Sequence, residues 1–324
     1  MLGILFKVAR KKRELHIFKN VVQGFIEFFL NERGKIRHIK SVHFDQRVTE
    51  KSICSNAMTP VLTHGLIHDN SASQKGKGTH FAIERLTNFL HKYYRKYGCE
   101  GYVLMVDFKS YFESIPHEPI KALFRKNFTD ENIIKLADML IDAFGDVGLG
   151  LGSETSQINA IIHIDKIDHY IKEIERIKGY GRYMDDSWFI HTDKEVLKDL
   201  LRRIEIKYQQ AGITLNKKKT CIRKLKSGFT FLKTKFYLTE TGKIVRKPCR
   251  KRITSERRKL KKQAKLYQQG LVEIDDITQS YNSWRGSMQY RTARKTVYNM
   301  DKLFKALFNK EWKNDKCNNR NKAV

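Results

Sequence analysis

Two adjacent carboxylates, Asp185 and Asp186, lie inside the stretch YGRYMDDSWF, residues 180–189, which is otherwise mainly apolar and aromatic. A third, Asp107, follows the apolar run YVLMV at residues 102–106. At a hairpin tip and a strand end, these charges would repel one another by several kcal/mol if they were dehydrated and unpaired. No lysine or arginine is placed between them by its sequence position, and hard oxygen ligands suit Mg²⁺. The pattern predicts a two-metal centre that acts on phosphate substrates.

Taken alone, an Asp-Asp pair is more typical of a solvated turn than of a metal site. The surrounding residues alternate between two faces, as in a strand interrupted at its middle by the acidic pair. The choice between a turn and a metal site therefore depends on the rest of the chain.

Two strand elements are predicted near these carboxylates. The run GYVLMVDF at 101–108 predicts a buried strand that ends at Asp107. Further along, FTFLKTKFYLTETGKIVRK predicts a hairpin with its turn at 240–243.

Helices are predicted from the apolar spacing. Isoleucines repeated over 161–177 predict one long amphipathic helix that begins near Thr155 and Ser156. Apolar residues over 197–211 predict a second helix, ended by Gly212. From about residue 250 the pattern is helical and strongly basic.

The bulk composition indicates the class of partner. Lysine and arginine number 64 against 35 Asp and Glu, a formal net charge of +29, which favours a polyanion such as nucleic acid. A basic surface kept for solubility is the alternative. No apolar run approaches the roughly 20 residues of a membrane span, and the five cysteines show no paired spacing. A cytoplasmic protein with no membrane partner is expected.

Several stretches occur in the order of the conserved motifs of one family. Five stretches resemble, in order, motifs A to E of reverse transcriptases. They are VDFKSYFESIPH (106–117), GLGSETSQINA (150–160), YMDD (183–186), AGITLNKKKT (211–220) and GFTFLKTKF (228–236). Upstream, GKIRHIKSVHFDQRV (34–48) and KGKGTH (75–80) resemble the fingers motifs of the same family. The resemblance covers residues 34–236, and seven stretches in register make it specific.

The resemblance implies a fold class and a domain order. It implies an α+β right-hand polymerase, with fingers and palm formed by an antiparallel sheet packed on helices, and an α-helical thumb. Residues 1–100 would form the fingers with interleaved parts of the palm. Residues 101–236 would form the palm with motifs A to E, and 237–324 the thumb and basic tail.

The resemblance also assigns the catalytic and metal-binding residues. Asp107 and Asp185 would be the metal-binding pair, Asp186 the neighbouring catalytic carboxylate, and the backbone carbonyl of Phe108 a further ligand. The cofactor would be two Mg²⁺ ions, with Mn²⁺ as a substitute. They would serve the attack of a primer 3′-hydroxyl on the α-phosphate of a dNTP.

The residues expected to bind the dNTP are Lys35, Arg37, Phe112, Ser156, Gln157 and Lys219. Lys35 and Arg37 match the basic fingers residues that hold the triphosphate. Phe112 matches the aromatic residue that excludes a ribose 2′-hydroxyl, although a core aromatic is an equal alternative. Lys219 matches a proton donor to pyrophosphate, with Lys217 and Lys218 as neighbouring alternatives.

Two motifs depart from the common family pattern. Motif B carries Ser156-Gln157 where most relatives have Gln-Gly, a form like that of diversity-generating retroelement enzymes, which implies lax template reading. Motif E reads Phe231-Leu232-Lys233 where the family usually has Phe-Leu-Gly, so the turn that grips the primer is expected to differ in shape.

The basic stretch RKRITSERRKLKKQAK at 250–265 carries nine basic residues against Glu256. In a thumb helix it would lie along a primer–template duplex and bind its phosphates. A solvated helix is the alternative. The residues expected to contact nucleic acid are Arg250, Lys251, Arg257, Arg258, Lys261 and Lys262.

The resemblance implies a bacterial or prophage RNA-directed DNA polymerase, a nucleotidyltransferase. Its partners would be an RNA template, a DNA primer and product, dNTPs, and a structured noncoding RNA or small accessory protein. Two roles stay open, mutagenic copying in a diversity-generating retroelement and antiviral defence against phage. The alternative from another class is an inactive RNA-binding scaffold with a polymerase fold.

Overall fold

The computed structural model describes residues 25–32 and 35–309. The chain divides into two compact units, Met1–Lys224 and Leu225–Val324. The boundary thus precedes the stretch that resembles motif E. None of the helices within the described ranges has the length and apolar character that crossing a bilayer requires.

The described part of the first unit begins with an antiparallel two-stranded ribbon, β1 (Phe25–Glu32) and β2 (Lys35–Val42). Its central sheet is antiparallel, in the order β4-β5-β3-β6, and comprises β3 (Tyr102–Val106), β4 (Gly179–Tyr183), β5 (Asp186–His191) and β6 (Cys221–Lys224). The strand predicted at 101–108 is confirmed as β3. Its last four residues are all buried, so both of its faces are covered, which is why its sequence is continuously apolar.

The described part of this unit also contains helices. In chain order they are α1 (Phe44–Ile53), α2 (Thr59–Leu62), α3 (Thr79–Tyr97), α4 (Tyr111–Ser114), α5 (His117–Asn127), α6 (Glu131–Asp142), α7 (Glu154–His163), α8 (Asp165–His169) and α9 (Lys194–Gln210). Single π-helical segments follow α1 at Cys54–Met58 and α8 at Tyr170–Ile174. The predicted helix before Gly212 is confirmed as α9. It buries Leu197, Leu200 and Ile204, each worth roughly 1.5–3 kcal/mol.

The prediction of one long helix from Thr155 to Ile177 is wrong. The helix begins one residue after Ser153, whose Oγ accepts a hydrogen bond from the Ser156 amide at 3.4 Å, and it ends at Ile164, where ψ is +16°. The isoleucine repeat continues past the break because Ile164, Ile167 and Ile171 are still buried in the same core. The spacing of the isoleucines therefore indicates which residues are buried in the core, and it does not show that the helix is continuous.

The described part of the second unit contains a three-stranded antiparallel sheet and three α-helices. The sheet, in sequential order, comprises β7 (Phe229–Phe231), β8 (Thr234–Leu238) and β9 (Ile244–Pro248). The predicted turn between β8 and β9 is confirmed. The predicted helical region follows as α10 (Arg250–Gln268), α11 (Ile274–Met288) and α12 (Arg294–Phe308). Their core includes Tyr281, whose ring stacks on Trp284 and Phe304 at 5.6 and 4.8 Å.

Candidate active site

Strand pairing brings Asp107 and Asp186 to the same end of the central sheet. β3 and β5 are antiparallel, with Val106 opposite Ser187. The next position along β3 is Asp107, and it lies across from Asp186, the first residue of β5. Asp185 occupies the two-residue turn between β4 and β5. Met184, in the same turn, has a left-handed φ of +53°, which costs a non-glycine residue roughly 1–2 kcal/mol.

Asp107 and Asp185 are close enough to Asp186 to affect its protonation. Burial, followed by the charges of Asp185 and Asp107, raises the pKa of Asp186 from 3.8 to about 7. A hydrogen bond with Asp107 favours the protonated Asp186 further, while the charge of Lys219 opposes this. Asp107 is only 6% exposed. A solvated turn does not hold carboxylates in this way.

Lys219 neutralises Asp107. Its Nζ donates to both carboxylate oxygens, at 2.7 Å to Oδ2 and 2.9 Å to Oδ1. Burial lowers the pKa of Lys219, but the hydrogen bond and charge of Asp107 outweigh this effect and raise it. Sequence position alone did not place a lysine between these carboxylates, because 112 residues separate the two partners in sequence. Lys219, and not Lys217 or Lys218, makes this contact.

Asn216 is a site residue that sequence reasoning missed. Its Nδ2 donates to Asp107 Oδ1 at 2.9 Å, and its backbone amide donates to the Asp107 carbonyl at 2.8 Å. Phe108 forms an antiparallel bridge with Leu215 one residue away. The 212–220 loop is therefore attached to the end of β3, and this attachment orients the Asp107 carboxylate.

The donor set fits a divalent cation. Within residues 25–32 and 35–309, no three or more His, Cys, Asp or Glu side chains form a ready-made metal cluster. The chemistry is nevertheless suitable, since Asp107 and Asp186 present carboxylate oxygens that share a hydrogen bond and repel when both are charged. In this structure the Lys219 ammonium supplies a positive charge beside Asp107.

A buried ion pair contacts the turn that carries Asp185. Arg182 and Asp168 both have fully buried side chains, and Arg182 Nη2 donates to Asp168 Oδ2 at 2.6 Å. The same guanidinium donates from Nη1 to the Met184 carbonyl at 3.3 Å and from Nη2 to the Ile161 carbonyl at 2.8 Å. Burial lowers the pKa of Arg182, but the charge of Asp168 more than compensates and raises it. The arginine thus braces the strained turn that carries Asp185.

The sequence contains a signal for this ion pair. Arg182 interrupts the buried strand GYGRY, and Asp168 takes a position on the isoleucine repeat. A charged residue on a buried strand requires a charged partner, so each exception marks a residue that needs a partner without identifying that partner.

The ribbon of β1 and β2 is attached to the stretch that resembles motif B. The Lys40 amide on β2 donates to the Leu151 carbonyl at 3.2 Å. A Cβ at Gly152 would lie 3.3 Å from the Lys40 carbonyl, so the two backbones pass closely. Arg37 is half-buried on β2 opposite Leu30. Lys35 is the first residue of β2, and its side chain lies outside the described part of the chain.

Phe112 and the Ser156-Gln157 pair have different environments. Phe112 is half-buried, packs against the core, and has its ring edge-on to Tyr111 at 5.9 Å. Ser156 is 1% exposed and its Oγ has no hydrogen-bond partner among the described residues. Gln157 is exposed, and its Oε1 accepts a hydrogen bond from Ser73 Oγ at 2.9 Å. Both Gln157 and Ser73 line a polar cavity of about 970 Å³.

In the second unit, the predicted nucleic-acid contacts share one face of α10. All six side chains are exposed, namely Arg250, Lys251, Arg257, Arg258, Lys261 and Lys262. At 100° per residue their positions fall within an arc of about 140°. Glu256, Leu260 and Ala264 are buried on another side of the helix. These six residues therefore form a stripe, while Arg252 and the exposed Lys259 carry basic charge further round the helix, over an arc of about 220° in all.

Comparison with known proteins gives a family match. The family described as reverse transcriptase (RNA-dependent DNA polymerase) matches residues 19–236. No curated protein sequence matches the chain.

Several solved structures are similar in fold. Telomerase from Candida albicans, in complex with a TWJ fragment of telomeric RNA, has a TM-score of 0.56 at 12% identity, covering 88% of this chain and 55% of that chain. Apo telomerase from Candida tropicalis has a TM-score of 0.53 at 14% identity, with coverages of 75% and 52%. The same enzyme truncated from its C-terminal domain has a TM-score of 0.52 at 17% identity, covering 68% of this chain and 54% of that chain. The chain spans about half the length of these structures, and the similarity confirms the predicted α+β polymerase fold.

Proposed function

We propose that this chain extends a DNA primer by adding dNTPs under the direction of an RNA template. The chain belongs to the reverse transcriptase (RNA-dependent DNA polymerase) family. One observation carries the proposal. Asp107 and Asp186 meet at the end of paired strands, with Asp185 in the adjoining turn, and the pKa of Asp186 responds to both neighbours.

The carboxylates and one backbone group would hold the cofactor. Asp107, Asp185 and the carbonyl of Phe108 would bind Mg²⁺, or Mn²⁺ in its place, with Asp186 beside them. Two such ions, when bound, lower the barrier to attack of the primer 3′-hydroxyl on the α-phosphate and stabilise the departing pyrophosphate. Asn216 keeps the Asp107 carboxylate oriented for this role.

Lys219 has a second task in this scheme. It holds a proton on Nζ within the site, and that proton can pass to the leaving pyrophosphate. Because Lys219 is paired with Asp107 in this structure, the ammonium has to leave the carboxylate when a cation takes its place. The same lysine then becomes available to the phosphate groups.

The remaining site residues would select and hold the dNTP. Arg37 and Lys35 would bind the triphosphate, and Phe112 would exclude a ribose 2′-hydroxyl. Ser156 and Gln157 would shape the pocket of the nascent base pair. Gln157 is exposed at the polar cavity, which favours this role.

The wider assignment has several parts. The fingers, palm and thumb would correspond to residues 1–100, 101–236 and 237–324, and the α10 stripe would bind the phosphates of the primer–template duplex.

The protein would act in the cytoplasm of a bacterium or prophage host, where the free thiols of Cys54, Cys99, Cys221 and Cys249 stay reduced. It would serve a diversity-generating retroelement or antiviral defence, together with a structured noncoding RNA or small accessory protein.

Primer extension on an RNA template tests the function. Wild type is compared with Asp185→Ala, and with Asp199→Ala, which removes an exposed carboxylate paired with Arg202 at 3.1 Å. Extension by wild type and by Asp199→Ala, but not by Asp185→Ala, is expected. Equal extension by all three proteins would remove the assignment of the site. RNA binding without extension by any of them would support the inactive scaffold instead.

A further inference from the structure

A second groove lies in the first unit, at the end of the central sheet far from the carboxylates. It has a volume of about 580 Å³ and is lined by the start of β4, the end of β5 and one side of α3. Asp186 is the first residue of β5 and His191, which lines the groove, is the last. At about 3.3 Å per residue the groove is about 17 Å from the reaction centre.

Aromatic rings form the wall of this groove. Phe89, Tyr93 and Tyr97 succeed one another along α3 at four-residue spacing, with ring centroids 6.3 and 5.1 Å apart. The inner end of the row is tightly packed, since a Cβ at Gly179 would lie 2.6 Å from Phe89. The outer end is open, because Tyr97 is 47% exposed whereas Tyr93 is 4% exposed. A rigid aromatic row therefore ends in a ring that faces solvent.

Positive charge surrounds the exposed ring. Lys92, Lys96, Arg176 and Lys178 line the groove and are all exposed. No salt bridge or side-chain hydrogen bond ties their charged groups to any residue within 25–32 and 35–309, although Lys96 Nζ lies 5.0 Å from the centre of the Tyr97 ring.

The acidic residue among those lining the groove is already neutralised. Glu175 accepts hydrogen bonds from Arg203 at 2.6 and 2.7 Å. The hydrogen bond from Arg203, the largest influence, lowers the pKa of Glu175, so the carboxylate stays ionised and paired. The groove therefore presents an uncompensated positive charge beside an exposed aromatic ring.

We propose that this groove binds a single-stranded RNA segment, with a base stacked on Tyr97 and the flanking phosphates held by Lys92, Lys96, Arg176 and Lys178. Stacking on an aromatic ring inside a basic groove is the usual means of holding single strands. An acidic peptide would use the charges but would leave the aromatic row without a role. The choice of RNA over DNA rests on the proposed function, in which RNA is the template.

The test uses the full chain and a fluorescent single-stranded RNA of about ten nucleotides, within the usual range of such sites. Anisotropy is measured over a salt series, with a saturating unlabelled primer–template duplex to occupy the polymerase cleft. Tyr97→Ala is expected to weaken RNA binding about 5- to 100-fold, and Tyr97→Phe to retain it, because the phenyl ring still stacks. The exposed ring makes neither substitution a threat to folding.

A pair of charge reversals provides the second arm. Lys96→Glu with Lys178→Glu is expected to weaken binding and to reduce the slope of log affinity against log salt by about 1 to 2. Lys126→Glu with Lys166→Glu changes the net charge equally at exposed residues that do not line the groove. This control is expected to bind nearly as wild type.

Four results would overturn the proposal. They are equal losses in both double variants, no effect of Tyr97→Ala, equally tight binding of DNA of the same sequence, and competition by polyglutamate as strong as by unlabelled RNA. Primer extension on the same preparations reports the proposed function separately. Its absence with intact groove binding would remove only the polymerase assignment, and its presence without groove binding would remove only this second site.

Discussion

Replacing Asp168 by Asn is expected to destabilise the first unit strongly, because it leaves a charged guanidinium buried without a counter-ion. Both side chains of the pair are fully buried, and Asp168 accepts three hydrogen bonds from Arg182, at 3.0, 3.0 and 2.6 Å. Removing one partner of such a pair costs about 3–5 kcal/mol. The free energy of unfolding should fall by that amount in a denaturant titration.

A double variant separates stability from positioning. Asp168→Leu with Arg182→Met removes both charges, and a buried pair replaced by apolar residues of similar volume is often neutral. We expect it to be more stable than Asp168→Asn, although the Tyr180 hydroxyl and the Ile161 carbonyl also lose their partners. The Met184 carbonyl nevertheless loses its donor, and the turn that carries Asp185 loses its brace. Primer extension should therefore stay about tenfold or more below wild type, the equivalent of one hydrogen bond of about 1.4 kcal/mol.

Asp199→Asn is the matched control, since it weakens an exposed pair with Arg202 at 3.1 Å and should cost under about 1 kcal/mol. The reasoning is refuted if Asp168→Asn unfolds like this control. It is also refuted if the double variant is stable and extends primers at the wild-type rate, because Arg182 would then have no positioning role.

Three further outcomes are expected. Lys219→Arg keeps the charge beside Asp107, but the guanidinium holds its proton too tightly to donate it. The rate of single-turnover extension should therefore fall about 10²-fold or more, while the rate of Lys217→Arg stays near that of wild type. Equal rates in the two variants would contradict the assignment of Lys219. Phe112→Ala should reduce the preference for dGTP over GTP by about tenfold or more, and an unchanged preference would identify Phe112 as a core aromatic. Burial, reinforced by the charge of Asp168, raises the pKa of Asp165 from 3.8 to about 6, so ionisation costs the folded state stability as pH rises through this window. Asp165→Asn should therefore stabilise the protein by up to about 2–3 kcal/mol at pH 7.5 and about half as much at pH 5 in urea titrations; a gain independent of pH would point to another cause.

Local patterns predicted several elements of the fold. The run before Asp107 is apolar throughout because β3 is buried on both faces, and such a run is readable without knowledge of its neighbours. The helix α9 and the hairpin of β8 and β9 were likewise predicted from spacing and turn residues. In each of these elements the sequence pattern and the local structure have the same period.

Contacts across long sequence separations were not predictable in this way. Lys219 reaches Asp107 over 112 residues, and nothing in the local pattern distinguishes it from Lys217 or Lys218. The isoleucine repeat concealed the helix break at Ile164, because the segments on either side of the break pack against one core. Arg182 and Asp168 were visible as charged exceptions on buried elements, but their pairing required the fold.

Single-nucleotide addition tests the central claim most directly. Four RNA templates that differ only in the base opposite the incoming nucleotide are annealed to one DNA primer and supplied with each dNTP and Mg²⁺. The wild-type chain should add mainly the complementary deoxynucleotide on every template, and Asp107→Asn should add none. Addition that ignores the template base, or equal addition by the variant, would contradict RNA-directed synthesis at these carboxylates.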